Sequence, residues 1–114
     1  MQVILATDTL DLDREEVTSL ARRYRDLAVS RYAGAIDDLT ATIVHERRPG
    51  LPARFRCDLD ARLRRRLSVR VSASDRDLET SVARAFARAA RTIGQRVGRG
   101  LRSSLRPRPE PTPA

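Results

Sequence analysis

The sequence predicts an α+β protein, a two-layer sandwich in which two helices cover one face of a four-stranded sheet. The chain has 114 residues, a length that suits one hydrophobic core. Segments with strand-like and helix-like hydrophobic periodicity follow each other in the order β-α-β-β-β-α. The strand segments have only one apolar side, so we expect helices on that face of the sheet and polar residues on the other.

The first half of the chain supplies a strand, a helix and a second strand. Residues 2–7 are rich in branched apolar side chains and are predicted to form a strand. Asp13, followed by Glu16, resembles the capping box that starts a helix. The predicted apolar stripe of this helix comprises Val17, Leu20, Ala21, Tyr24, Leu27 and Ala28. Residues 39–46 alternate as a second strand, and a Pro- and Gly-containing break follows at 49–52.

The second half supplies two strands and a long helix. Residues 54–62 alternate strictly, the chain reverses at 64–66, and residues 67–73 alternate again. Ser74 or Asp75 is expected to cap the second helix. The apolar stripe of that helix comprises Leu78, Val82, Ala85, Phe86, Ala89, Ile93 and Val97.

The helix is expected to fray near Gly98 and Gly100, which sets the predicted domain at residues 1–101. Residues 102–114 are rich in arginine and proline, with four prolines from Pro107 onward. Such a composition predicts a disordered tail.

The charge of the chain is concentrated in its second half. All 23 basic side chains are arginine, against 15 acidic ones, for a net charge of +8. Residues 61–106 hold 13 of the arginines and only 3 acids. Genomic base bias can account for the lack of lysine, but the clustering favours a polyanionic partner, nucleic acid first and an anionic membrane surface second. No segment has the length of a membrane span or the features of a signal peptide, so we expect a cytoplasmic protein.

The residues that could carry catalysis are few, and each has a structural explanation. His45 is the only histidine and is expected to be a partly buried strand residue. Cys57 is the only cysteine and lies on the apolar side of its strand, where it is expected in the core. Asp58 and Asp60 alternate with arginines, so ion pairing explains them. We therefore expect no enzyme, no metal and no cofactor.

The second helix carries the main candidate binding site. At about 100° per residue, five of its arginines fall on one side, opposite the apolar stripe. Arg22 and Arg25 point outward from the first helix, and Arg31 lies near its end. The predicted RNA-binding residues are Arg22, Arg25, Arg31, Arg84, Arg88, Arg91, Arg99 and Arg102. A solvated helix face is the alternative, but such faces normally mix charges of both signs.

The kind of nucleic acid follows from the side chains that are present. Arginine suits contact with phosphate groups, and the four aromatic residues mostly lie in the apolar stripes instead of forming a stacking surface. The expected target is the backbone of a folded or double-stranded nucleic acid. A general structured-RNA-binding protein or RNA chaperone, and a membrane-surface or protein-interaction module, remain alternatives.

The order of elements and the basic last helix resemble the ribosome hibernation-promoting factor and ribosome-associated inhibitor A family, also called sigma-54 modulation proteins. The resemblance covers roughly residues 1–101. It is carried by Met1 to Ile4, Arg31 to Ile36, Cys57 to Leu63, Asp77-Leu78, and the helix that contains Arg88 and Arg91. The chain departs from the family at Ala28, where a basic residue is common, and at Glu79, where an aromatic is common.

The resemblance implies a protein that binds the small ribosomal subunit in the channel for mRNA and tRNA and blocks translation during stress. By position it assigns contacts with small-subunit rRNA to Arg25 and Arg31 on the first helix. It assigns further contacts to Arg84, Arg88 and Arg91 on the second. The expected partner is thus the small subunit, bound by a monomer, with no membrane involved. The chain lacks the carboxy-terminal domain of long family members, so pairing of ribosomes is expected to need another factor.

Overall fold

The structure is a computed structural model that describes residues 2–7 and 13–105, with side chains described over residues 13–98. The element order is β-α-β-β-β-α, as predicted. The elements are β1 (Gln2–Thr7), α1 (Arg14–Ala28), a 3₁₀ helix (Ser30–Ala35), β2 (Ile36–Glu46), β3 (Arg54–Leu63), a 3₁₀ turn (Arg64–Arg66), β4 (Ser68–Asp75) and α2 (Leu78–Leu105).

The sheet has the order β1-β2-β3-β4. Strands β2, β3 and β4 form an antiparallel meander, in which Cys57 lies between Ile43 of β2 and Ala73 of β4. The backbone of β1 runs parallel to β2, with Val3 opposite Leu39. The predicted α+β class, with an antiparallel sheet and two helices, is confirmed.

The core lies between the sheet and the two helices. Helix α2 packs against β3 and β4 and also contacts α1. The largest fully buried side chains are Phe86, Leu39, Ile43, Leu59, Ile93, Val17, Val29 and Val82. These residues come from both helices, from β2 and β3, and from the end of α1, so one apolar cluster joins the two layers.

The start of β2 differs from the prediction. The strand begins at Ile36 and not at residue 39, because a β-bulge shifts the register between Ile36 and Asp38. The bulge interrupts the alternation from which the strand was predicted and allows Ile36 and Leu39 both to be buried.

Helix α1 begins as predicted, but its apolar stripe is narrower. Asp13 caps the helix by accepting a hydrogen bond from the backbone N–H of Glu15 at 3.0 Å. The inclusion of Leu27 in the stripe is wrong, since this side chain is 71 % exposed. Leu27 lies about 80° around the helix from the fully buried Val17, at the edge of the face that packs on the core.

Helix α2 starts later and continues further than predicted. Ser74 and Asp75 both belong to β4, and the cap is Asp77, whose carboxylate accepts from the Thr80 backbone N–H at 2.9 Å. The helix does not end at Gly98 or Gly100 but reaches Leu105, so the predicted boundary at 101/102 falls inside it. Continuous i to i+4 hydrogen bonding tolerates glycine at a modest cost. Residues 106–114 of the predicted tail lie outside the described residues.

The reversal between β3 and β4 occurs at the three consecutive arginines, as predicted. Arg65 and Arg66 have φ angles of 66° and 61°, in the left-handed region that turns use. The backbone N–H of Leu63 donates to the Leu67 carbonyl at 2.8 Å and closes the turn. Leu67 itself precedes β4 and is 42 % exposed, so its predicted place in the apolar face of that strand is wrong.

Candidate nucleic-acid interface

Helix α2 has an apolar face and a basic face. Val82, Phe86 and Ile93 are fully buried against the sheet. The exposed side holds the three residues that we call the arginine row: Arg84, Arg88 and Arg91. From Leu78 to Leu105 the helix carries six arginines and a single acid, Glu79, near its start. The predicted separation of the two faces is therefore confirmed over the described side chains.

Two members of the arginine row are held by the neighbouring strand. The Arg84 Nη1 lies 3.0 Å from Asp75 Oδ2 at the end of β4. The Arg88 Nη1 donates to the backbone carbonyl of Ser72 in the same strand. Asp75 thus reaches Arg84 from outside the helix and pairs with it. Arg84 nevertheless remains 58 % exposed and accessible to a ligand.

Arg91 and Arg96, the other α2 arginines with described side chains, make no such contact with the strand. Arg91 is exposed and makes no ion pair within the described part of the chain. The exposed Gln95 interrupts the row one turn later, and Arg96 lies on its flank, about 120° from Arg84. Arg96 was not among the predicted residues because it falls outside the stripe. Arg99 and Arg102 lie within α2, but their side chains are outside the described residues.

The predicted residues of α1 and the 3₁₀ helix occupy three different environments. Arg22 is exposed. Arg25 is only 24 % exposed, and its Nε donates to Asp26 Oδ1 at 2.9 Å. Arg31 is exposed and stacks over the ring of Tyr32, with 4.9 Å between its guanidinium carbon and the ring centroid. Of the three, Arg22 and Arg31 are the more accessible to a partner.

Direct contacts join the two helices. The Tyr24 hydroxyl donates to Glu79 Oε2 at 2.6 Å, and this hydrogen bond raises the pKa of Tyr24 above its ordinary value. The Tyr32 hydroxyl packs so closely on Gly94 that a Cβ there would lie 2.5 Å from it. The two helices therefore pack against each other on the same layer. We call Arg22, Arg25, Arg31 and the arginine row together the two-helix surface.

The residues considered for catalysis have structural roles. Cys57 is completely buried, and burial raises the pKa of its thiol to about 12. The His45 ring stacks on Phe55 across the strand pair, with centroids 4.4 Å apart. Asp58 pairs with Arg56 at 3.1 Å, and Asp60 pairs with Arg70 at 3.3 Å. These predicted packing and pairing roles are confirmed.

The described residues contain neither a cluster of metal ligands nor a helix suited to span a membrane. Among residues 13–98 no group of three or more His, Cys, Asp or Glu side chains is arranged to hold a metal ion. None of the helices that the structure describes is long and apolar enough to cross a bilayer.

Several solved structures resemble this one, and two of them are described here. A ribosomal subunit interface protein from Coxiella burnetii aligns with a TM-score of 0.71 and 9 % sequence identity, over 86 % of this chain and 99 % of its own. The N-terminal domain of Protein Y from Thermus thermophilus aligns with a TM-score of 0.50 and 22 % identity, over 82 % of this chain and 93 % of its own. No family model and no curated protein matches the sequence. At these identities the likeness establishes a shared fold.

Proposed function

We propose that this protein is a ribosome-associated factor of the hibernation-promoting factor and ribosome-associated inhibitor A family. It acts in the cytoplasm as a monomer, without catalysis or cofactor. The observation that carries the proposal is the arginine row on α2, opposite a fully buried apolar face. The fold is similar to that of a protein described as a ribosomal subunit interface protein.

The partner that fits the two-helix surface is the phosphate backbone of small-subunit rRNA. Guanidinium groups contact phosphate oxygens through paired N–H donors, and each contact releases counterions from the RNA. The side chains of Tyr24 and Tyr32 pack between the helices and leave no aromatic platform there for stacking unpaired bases. A backbone contact of this kind favours folded RNA, in which phosphates lie in a defined arrangement.

The mechanism that follows is steric occupancy. A protein held by its helices on the rRNA of the mRNA and tRNA channel excludes those ligands while it is bound. The arginines supply the affinity, and the shape of the whole domain supplies the block. Dissociation restores the channel, so inhibition of translation is reversible.

The test compares two triple variants that each remove three positive charges. The helix variant, R84Q/R88Q/R91Q, removes the arginine row. The control variant, R14Q/R62Q/R70Q, removes three exposed arginines outside the two-helix surface. Co-sedimentation with purified small subunits at about 150 mM salt is expected to fall at least ten-fold for the helix variant and little for the control, since the loss of phosphate contacts weakens binding strongly.

Equal binding of the helix and control variants would refute the role of the arginine row. Similar affinity of the wild type for small subunits and for an unrelated structured RNA would instead identify a general RNA-binding protein or RNA chaperone. Occupancy of the channel would be supported if the wild type inhibits translation in a purified system and the helix variant does not.

A further inference from the structure

A second group of arginines surrounds a cleft at the hairpin between β2 and β3. The cleft has a volume of about 360 Å³ and is lined by Glu46, Arg48, Leu51, Pro52, Arg54 and Arg76, which we call the hairpin cleft. Arg48 and Arg54 lie on either side of the hairpin turn, and Arg76 follows the end of β4. None of them belongs to the two-helix surface.

The charge of the hairpin cleft is not balanced within the described part of the chain. Glu46 is its only acid, and Arg56 Nη1 lies 3.3 Å from Glu46 Oε2. The guanidinium of Arg56 also holds Asp58, so both carboxylates are already paired. Arg48, Arg54 and Arg76 make no ion pair within residues 13–98. Three unneutralised guanidinium groups therefore line one recess.

The β2–β3 hairpin fixes the backbone positions of Arg48 and Arg54. Pro49 and Gly50 form a tight turn with φ 77° at Gly50, closed by a hydrogen bond of 3.1 Å from the Leu51 N–H to the Arg48 carbonyl. Proline followed by a glycine with positive φ is the signature of a type II turn. Arg54 begins β3, directly after the hairpin.

The third arginine connects the cleft to α2. Arg76 lies between Asp75, which pairs with Arg84, and Asp77, which caps α2. Asp75 is also the register partner of Phe55, the residue after Arg54. Asp75 therefore pairs with Arg84 of the arginine row and is the sequence neighbour of Arg76 in the hairpin cleft.

We infer that the hairpin cleft is a second contact site for the phosphate backbone of RNA. Arginines that surround a recess can approach a phosphate group from several sides, and their forked donors match its oxygens. Leu51, 61 % exposed, and Pro52 give the recess a small apolar wall against which a ribose can pack. The inference rests on the proposed function for the class of partner but not for the location of the site.

The geometry favours RNA over an anionic bilayer. A lipid surface is broad, and proteins that lie on it use an extended apolar face together with basic residues. The hairpin offers one large exposed apolar side chain, and its arginines line a recess. A projecting sugar–phosphate strand can enter such a recess. Two contact sites, one on α2 and one at the hairpin, would hold the RNA against both α2 and the end of the sheet.

The experiment adds a hairpin variant, R48Q/R54Q/R76Q, to the control variant R14Q/R62Q/R70Q, so that both lose three positive charges. Binding to purified small subunits is measured between about 50 and 200 mM salt. We expect the hairpin variant to bind at least ten-fold more weakly than the control. The slope of the logarithm of its affinity against the logarithm of salt concentration should be shallower by about two. Thermal unfolding by circular dichroism checks that both variants fold.

The outcomes separate this inference from the proposed function. If the wild type binds small subunits and the hairpin variant binds as the control does, the hairpin cleft is not a contact site. If the wild type does not bind small subunits, the proposed function fails. In that case, comparing the hairpin and control variants on a short RNA duplex decides whether the hairpin cleft contacts RNA. Hairpin-dependent binding to phosphatidylserine vesicles without hairpin-dependent binding to either RNA would overturn the inference.

Discussion

Arginine has a property on the two-helix surface that lysine would not supply. Arg88 donates one N–H of its guanidinium to the Ser72 carbonyl, and Arg84 approaches Asp75 at 3.0 Å. A guanidinium has five donors in a fixed plane, so several remain for a phosphate after one is used. The strand thus orients these side chains before a ligand arrives, which reduces the conformational entropy lost on binding.

Burial changes the titration of Cys57 strongly. Its pKa rises from about 9 to about 12 because the thiolate would be buried in the core. Above pH 9 the unfolded chain releases this proton and the folded protein keeps it. The free energy of unfolding therefore falls as the pH rises, by about 1.4 kcal/mol per pH unit up to about pH 12.

The measurement is denaturant unfolding at pH 8 and pH 10, for the wild type and for Cys57→Ala. We expect the wild type to lose about 1 kcal/mol more than the variant over this interval, since alanine has no proton to release. Equal losses in the two proteins would mean that Cys57 ionises in the folded state and is not part of a closed core.

At the scale of elements, the contact between α2 and the segment after α1 depends on a glycine. The Tyr32 hydroxyl occupies the space that a side chain at position 94 would need. Glycine inside a helix normally costs about 1 kcal/mol relative to alanine. The close approach of Tyr32 gives a physical reason for its presence here.

Gly94→Ala is therefore expected to destabilise the wild type by about 1–2 kcal/mol, because the new Cβ displaces the Tyr32 ring. In a Tyr32→Ala background the same substitution should stabilise by about 1 kcal/mol through helix propensity. A double-mutant cycle from denaturant unfolding measures both values. Stabilisation of similar size in the two backgrounds would show that the two residues are not in contact.

For the whole molecule, the two layers differ in charge. The open face of the sheet carries paired charges, such as Arg56 with Asp58 and Arg70 with Asp60. The helix side carries the arginine row, with a single acid on α2. Within the described residues, the helix side therefore carries unpaired positive charge that can help to orient the approach to a polyanion.

This asymmetry predicts a steep dependence of ribosome binding on salt. With about four phosphate contacts, the affinity for small subunits should fall about a hundred-fold between about 50 and 200 mM salt. Filter binding or sedimentation at several salt concentrations gives the slope. A slope near zero would indicate binding without phosphate contacts and would count against the two-helix surface.

Local sequence patterns predicted the elements well where residues of one element decide the outcome. Strict alternation identified β3, and the periodic stripe identified the buried face of α2 with Phe86 at its centre. The predictions failed where the conformation of a residue depends on adjacent strands or on a competing residue nearby in the sequence. A bulge at the start of β2 broke the alternation, and Asp77 took the capping role expected of Ser74 or Asp75.

By itself, the sequence determined the order of elements, the opposition of arginines and apolar residues on α2, and the burial of Cys57. Each of these depends on spacing within one segment. Only the tertiary structure decided that Asp75 pairs with Arg84, that Glu79 binds Tyr24, and which arginines line the hairpin cleft. The physical reason is that such contacts join residues from different segments, and their distances exist only once the strands and helices have packed against each other.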